Sequence, residues 1–125
     1  MIRLKRLYSE VSPADGIRIL VDRVWPRGVS KRRAHIVAWR KDLAPSTPLR
    51  KWFGHEPSRW AEFRRRYQAE LNRWDVIEDV LNLAGISRQR TITLLYSAAD
   101  EQHNQAVVLK DLIERCLTQT SKRNA

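Results

Sequence analysis

Thr91-Ile92-Thr93-Leu94-Leu95-Tyr96, followed by the polar run Ser97-Ala98-Ala99-Asp100-Glu101-Gln102-His103-Asn104 and then by Val108, Leu109, Leu112, Ile113 and Cys116, decides the fold. The first six residues are β-branched or apolar, without a turn former, and read as the clearest strand in the chain. The last five recur at helical spacing and read as the inward face of a helix. A strand, a short polar turn and a helix make half of a β-α-β crossover, the unit from which layered α/β domains are built.

Working outward from this unit, residues 2–7 alternate apolar and basic side chains as a half-buried strand does, and Ser12-Pro13-Ala14-Asp15-Gly16 supplies turn chemistry. Ile17-Arg18-Ile19-Leu20-Val21 is a second strand, ending at Asp22-Arg23 before the loop Trp25-Pro26-Arg27-Gly28. Ile36-Val37-Ala38-Trp39 fits a short strand or a piece of helix, and we read it as a strand. Ser46 or Thr47 caps a helix with Pro48 at its first position and Gly54 at its end. Pro57 opens a longer helix in which Trp60, Phe63, Tyr67, Leu71 and Trp74 form one apolar stripe. Ile77, Val80, Leu81 and Ala84 extend the stripe beyond a bend near Asn72-Arg73, and Gly85 terminates it. The expectation is an α/β fold: a small layered domain with a short, mostly parallel or mixed sheet packed by helices. One domain over residues 1–117 and a flexible tail over 118–125 complete it, without internal repeats.

Composition narrows the class of function. The chain has 125 residues, 42% of them hydrophobic, and no apolar run exceeds four, which argues for a real core and against a membrane span or secretory leader. The single cysteine, Cys116, closes no internal disulfide and reads as a packing residue on its helix, so a cytoplasmic protein is expected. The net charge is +10 and is unevenly spread: residues 1–73 hold 18 basic and 7 acidic side chains, residues 74–125 hold 6 and 7. That asymmetry points to an anionic partner, a phosphorylated small molecule, a nucleic acid or an acidic protein, or to a merely solvated charged surface.

Three segments join polar side chains to the ends of expected elements. In the stretch from Asp22 to Lys31, Arg23 and Arg27 flank a Trp-Pro turn and can grip phosphate or carboxylate, while Trp25 packs against a planar group. The alternative makes Asp22-Arg23 a salt bridge and Trp25 a core anchor. In the turn after the clearest strand, Ser97 can donate to an anion, His103 can move a proton and Asp100 can orient it. Asp100 and Glu101 also favour a helix start, and Asn104 can cap it. His55, after Gly54, either lines a pocket or satisfies the carbonyls ending its helix. The candidate proton carriers are His103 and Asp22, and the candidate ligand-binding residues are Arg23, Trp25, Arg27, His55, Ser97 and Asp100. The histidines at 35, 55 and 103 lie on different elements, and no paired-histidine zinc motif, Gly-rich phosphate loop or Gly-x-Ser-x-Gly elbow is present; neither metal nor cofactor is expected.

The same segments carry a resemblance. Asp22-Arg23-Val24-Trp25-Pro26-Arg27-Gly28-Val29-Ser30-Lys31, Trp39-Arg40-Lys41-Asp42-Leu43-Ala44-Pro45-Ser46, Leu49-Arg50-Lys51-Trp52-Phe53-Gly54-His55, and Leu94-Leu95-Tyr96-Ser97-Ala98-Ala99-Asp100 with His103-Asn104 resemble the YeaO-like branch of the domain-of-unknown-function 488 proteins. The likeness runs from Ile2 to Leu117. It implies a compact α/β fold and assigns no reaction. Other branches are similar but place Cys-His-Arg after the corresponding last strand; Ser97 to His103 occupies that region here, so thiol chemistry does not carry over. Where the family pattern leads one to expect acidic residues around positions 32 to 37, this chain has Arg32, Arg33, His35 and Val37.

Both lines lead to a pocket for an anionic small molecule, such as a phosphorylated metabolite or nucleotide, with processing of that molecule left open. The rival is a nucleic-acid binder using Arg23, Arg27, Lys31, Arg32 and Arg33 together with Arg59, Arg64, Arg65, Arg66 and Arg73, the residues Arg65 and Arg66 being expected to point into water. A protein-interaction module is the third reading. The whole expectation rests on the Trp-Pro-Arg turn and the Ser97-to-His103 turn sharing one hollow.

Overall fold

The computed structural model describes residues 1–124, with side chains through Thr118. Four strands, β1 (Ile2–Arg6), β2 (Ile17–Leu20), β3 (Ala38–Trp39) and β4 (Ile92–Tyr96), form one sheet in the order β1-β4-β2-β3. Every pairing is parallel, so the sheet expected to be mostly parallel or mixed is wholly parallel. The last strand in sequence is central, with Leu94 opposite Leu4 on one side and Ile19 on the other. All five of its residues are buried, which is why it reads as β-branched and apolar throughout while the edge strand β1 alternates.

One face of the sheet carries Ile19, Ile92, Leu94 and Tyr96 and is covered by the helices α1 (Thr47–Phe53), α2 (Trp60–Leu71), α3 (Trp74–Ser87) and α4 (Gln105–Asn124). Phe53, Phe63, Tyr67, Val80, Leu109 and Ile113 fill the layer between them. Tyr67 is fully buried and its hydroxyl donates to the Leu43 carbonyl at 2.5 Å, which satisfies the one polar atom of a large core side chain. The opposite face carries Leu20 and Leu95 and is covered by an irregular segment, residues 22–37, through Ile36, Trp25 and Val29. Lower on that face the buried Asp15 carboxylate takes Arg18 at 2.5 Å and Lys5 at 3.1 Å. The turn from Asp15 into β2 needs Gly16: its φ is +63°, and a Cβ there would lie 2.2 Å from the Thr91 carbonyl oxygen.

The structure departs from the sequence reading at several points. The expected third strand over 36–39 shrinks to two residues, Ala38–Trp39. Pro57 opens a single 3-10 turn, Pro57–Arg59, before α2 begins at Trp60. The bend at Asn72-Arg73 is a full break between two helices. The break resets the helical register, so Trp74 does not continue the stripe and stands 83% exposed; Leu81 is also exposed. Gly85 does not end α3, which continues to the buried Ser87, whose hydroxyl bonds the Ala84 carbonyl at 2.8 Å. Much of the expected tail, 118–125, falls on residues whose side chains lie outside the described part; the backbone of α4 is helical through Asn124.

Candidate functional site

The chain leaving β2 turns to the face covered by residues 22–37, whereas the chain leaving the neighbouring β4 turns through Ser97 to α4 on the helical face. Adjacent parallel strands whose continuations part to opposite faces open a crevice at their carboxyl ends, where open α/β sheets gather ligands. A cavity of about 260 Å³ lies there. Asp22, Arg23, Trp25 and Arg27 border it from the first turn, Ser97 and His103 from the second, and Arg50 and His55 from α1 and the turn after it. The Trp-Pro-Arg turn and the Ser97-to-His103 turn therefore share one hollow. Asp100 stands behind its wall, with Oδ2 2.8 Å from His103 Nδ1. Phe53, Phe63 and Pro45 supply apolar surface.

Asp22 is 8% exposed and anchors the floor. Gln105 Nε2 donates to it at 2.6 Å, and the Ser97 hydroxyl and backbone N–H donate as well. Burial pushes the Asp22 carboxyl above the ordinary carboxylate range, although these donors and the charge of Arg50 act in the opposite direction. The Ser97 hydroxyl thus serves Asp22 and not an anion in the cavity, which corrects its expected role. No Asp22-Arg23 salt bridge forms; Arg23 Nε donates to the Pro45 carbonyl at 3.2 Å and so ties the loop before α1 to the end of β2. Trp25 combines the two readings offered for it. Its Nε1 donates to Val29 at 2.9 Å and its ring meets Trp39 edge-on at 5.3 Å, yet it borders the cavity.

His103 is held from two sides. Asp100 accepts from the backbone N–H of Gln102 and of His103 as well as meeting the ring, and these contacts hold its carboxyl below the usual value. The Trp60 and imidazole rings meet in a T-shaped arrangement, their centroids 5.3 Å apart. The amino end of α4 is closed by Asn104, whose Oδ1 accepts from Ala106 at 3.0 Å and Val107 at 3.2 Å, so these N–H groups are not left for an anion. His55 adopts φ +56°, and its ring makes no hydrogen bond to the helix carbonyls, which removes that alternative.

Cationic groups left over at the rim are Arg27 and Arg50, both exposed, whose guanidiniums make no hydrogen bond or ion pair among the described residues. Arg50 and Gln105 are the residues that sequence reasoning missed. An arginine in the last turn of α1 reads as a partner for the helix dipole, and Gln105 reaches Asp22 across 83 residues, a contact no local pattern carries. Elsewhere Arg65 and Arg66 point into water as expected but pair there with Glu62, Arg64 pairs with Asp111, and Arg66 also lies over the Trp52 ring at 4.5 Å.

Fold and site together define a parallel-sheet α/β domain, covered by helices on one face and by irregular chain on the other, with an arginine-rimmed cavity at the carboxyl edge. The sequence profile described as "Inactive DUF488-N3 subclade" matches residues 1–125, and the chain belongs to this family. It is 44% identical over 110 residues to "Uncharacterized protein YeaO" of Escherichia coli (strain K12), covering 88% of this chain and 94% of that one. It is 38% identical over 112 residues to "Uncharacterized protein Rv3073c" of Mycobacterium tuberculosis (strain ATCC 25618 / H37Rv), covering 90% and 92%. No solved structure matches the chain. No helix among the described residues is long and apolar enough to cross a membrane.

Proposed function

We propose that the carboxyl-edge cavity binds a small anionic molecule, a phosphorylated metabolite or a nucleotide, with Arg27 and Arg50 as its charged contacts. The observation that carries this reading is the pair of unengaged guanidiniums on the rim of an otherwise hydrogen-bonded, aromatic-walled cavity. A planar guanidinium gives paired, charge-assisted hydrogen bonds to phosphate, and an apolar wall excludes competing water. Arg23, fixed on the Pro45 carbonyl, adds positive potential. His103, oriented by Asp100, is the group that would move a proton were the ligand processed. Binding without turnover accords better with a family described as inactive.

A thermal-shift screen against inorganic phosphate, nucleotides and sugar phosphates tests it. A ligand at a hundred times its Kd adds about 2.7 kcal/mol of stability. Arg27→Ala and Arg50→Ala should each weaken binding roughly ten- to a hundredfold, the worth of a charged hydrogen bond, with the unliganded fold intact. Stabilisation untouched by both substitutions would remove the cavity from consideration. In the nucleic-acid alternative, Arg64, Arg65 and Arg66 would first have to leave their exposed ion pairs, whereas Lys31, Arg32 and Arg33 have none to leave among the described residues. Salt-sensitive duplex binding that survives both substitutions would favour it instead.

A further inference from the structure

Resting on that reading of the cavity, a second feature restricts the ligand. The Asp22 carboxylate has three donors: Gln105 Nε2 and the Ser97 N–H on Oδ1, and the Ser97 hydroxyl on Oδ2. A carboxylate accepts at about four positions, so Oδ2 retains an acceptor site in a group that borders the cavity. No lysine or arginine nitrogen among the described residues is ion-paired with Asp22, although the carboxylate is buried. A buried charge with an unfilled acceptor position gains from a further donor.

The cavity thus carries two chemically opposite kinds of group, and the charge of Arg50 reaches Asp22. A rim of Arg27 and Arg50 wants an anion, and a floor of Asp22 wants a hydrogen-bond donor and repels a second anion. An ammonium group would meet the field of Arg23, Arg27 and Arg50, so a neutral hydroxyl fits the floor better. At about 260 Å³ the space is below the usual range for drug-sized ligands and excludes a dinucleotide. We infer that the ligand is a hydroxyl-bearing phosphomonoester, its phosphate on Arg27 and Arg50 and one hydroxyl donating to Asp22. A free sugar phosphate and the ribose 5-phosphate part of a nucleoside monophosphate share this chemistry.

Calorimetric titration of the full chain with methyl phosphate, ribose 5-phosphate and adenosine monophosphate tests it. Ribose 5-phosphate should bind at least tenfold more tightly than methyl phosphate, and Asp22→Asn should bring that ratio below threefold while methyl phosphate still binds. Adenosine monophosphate binding more tightly than ribose 5-phosphate supports a nucleotide source, and equal or weaker binding a sugar phosphate. Equal affinity for methyl phosphate and ribose 5-phosphate, or an unchanged ratio in Asp22→Asn, overturns the inference and leaves the anion site standing. Should no phosphate compound bind, the anion site itself falls and this inference with it. The two-probe comparison on the unsubstituted chain decides the matter even if Asp22→Asn does not fold.

Discussion

Asp15 and Asp22 are both buried carboxylates, and their surroundings drive them in opposite directions. At Asp15 burial alone would raise the pKa, but the Ser12 N–H, Lys5 and Arg18 together outweigh it and hold the group below its ordinary value. At Asp22 burial wins over Ser97, Gln105 and Arg50. The consequences for stability have opposite sign. Asp15 contributes stability that is present above its unfolded pKa of about 3.9 and is lost as pH falls through its lower folded value. The contribution of Asp22 is present below about 3.9 and is lost as pH rises through its higher folded value. Carboxyl-carbon NMR should therefore find Asp15 titrating below the model-peptide position and Asp22 above it; the reverse order would refute the assignment of Asp22 as the desolvated floor of the cavity. Neither behaviour was legible in the sequence. The sequence reads Asp15 as a turn residue and Asp22 as a candidate proton carrier or half of a local salt bridge; that Lys5 reaches the first and that Ser97 and Gln105 enclose the second depends on elements distant in sequence.

Among the elements, those with local signals were read well. Ser46 and Gly54 bound α1 as their chemistry demands, with Pro48 second in the helix and not first: Ser46 Oγ accepts from the Leu49 N–H at 3.4 Å, and Gly54 adopts the left-handed conformation. Ser46 also donates to Glu70 at 2.6 Å, linking α1 to α2. Ser46→Ala should lower the unfolding free energy by about 1–2 kcal/mol in a urea titration; no change would mean that Glu70 and water replace the cap. Gly16→Ala is the more severe change, since a left-handed backbone and a clash with Thr91 coincide. A loss of about 2 kcal/mol or more is expected, and a neutral result would contradict the close approach of these two turns. The misreadings at Trp74 and Leu81 share a cause. Trp74 and Leu81 keep helical spacing with the α2 stripe, but the break at Asn72-Arg73 redirects the chain, and a sequence period carries no information about a change of axis. Gly85 lies on the exposed side of α3, where glycine costs about 1 kcal/mol without ending the helix.

At the scale of the whole molecule, the order β1-β4-β2-β3 sets the last strand in sequence beside β2 and brings residues 22–27 to residues 97–105. A strand-turn-helix unit announces a parallel sheet, and the carboxyl ends of its strands are where a ligand is sought, so the neighbourhood of the cavity was foreseeable. Its division into an arginine rim and a carboxylate floor was not, because Arg50 comes from α1 and the Ser97 hydroxyl is taken by Asp22. The excess positive charge also changes meaning once folded. Glu62 and Asp111 pair with the α2 arginines Arg64, Arg65 and Arg66, and the guanidiniums bordering the carboxyl-edge cavity without a hydrogen bond or ion pair among the described residues are those of Arg27 and Arg50. The most direct test is an amide NMR titration with ribose 5-phosphate. The account predicts saturable shifts confined to residues 22–28, 50–55 and 97–105, with the midpoint moved roughly ten- to a hundredfold higher by Arg27→Ala; shifts centred on residues 31–33 or on α2, or no shifts at all, would contradict it.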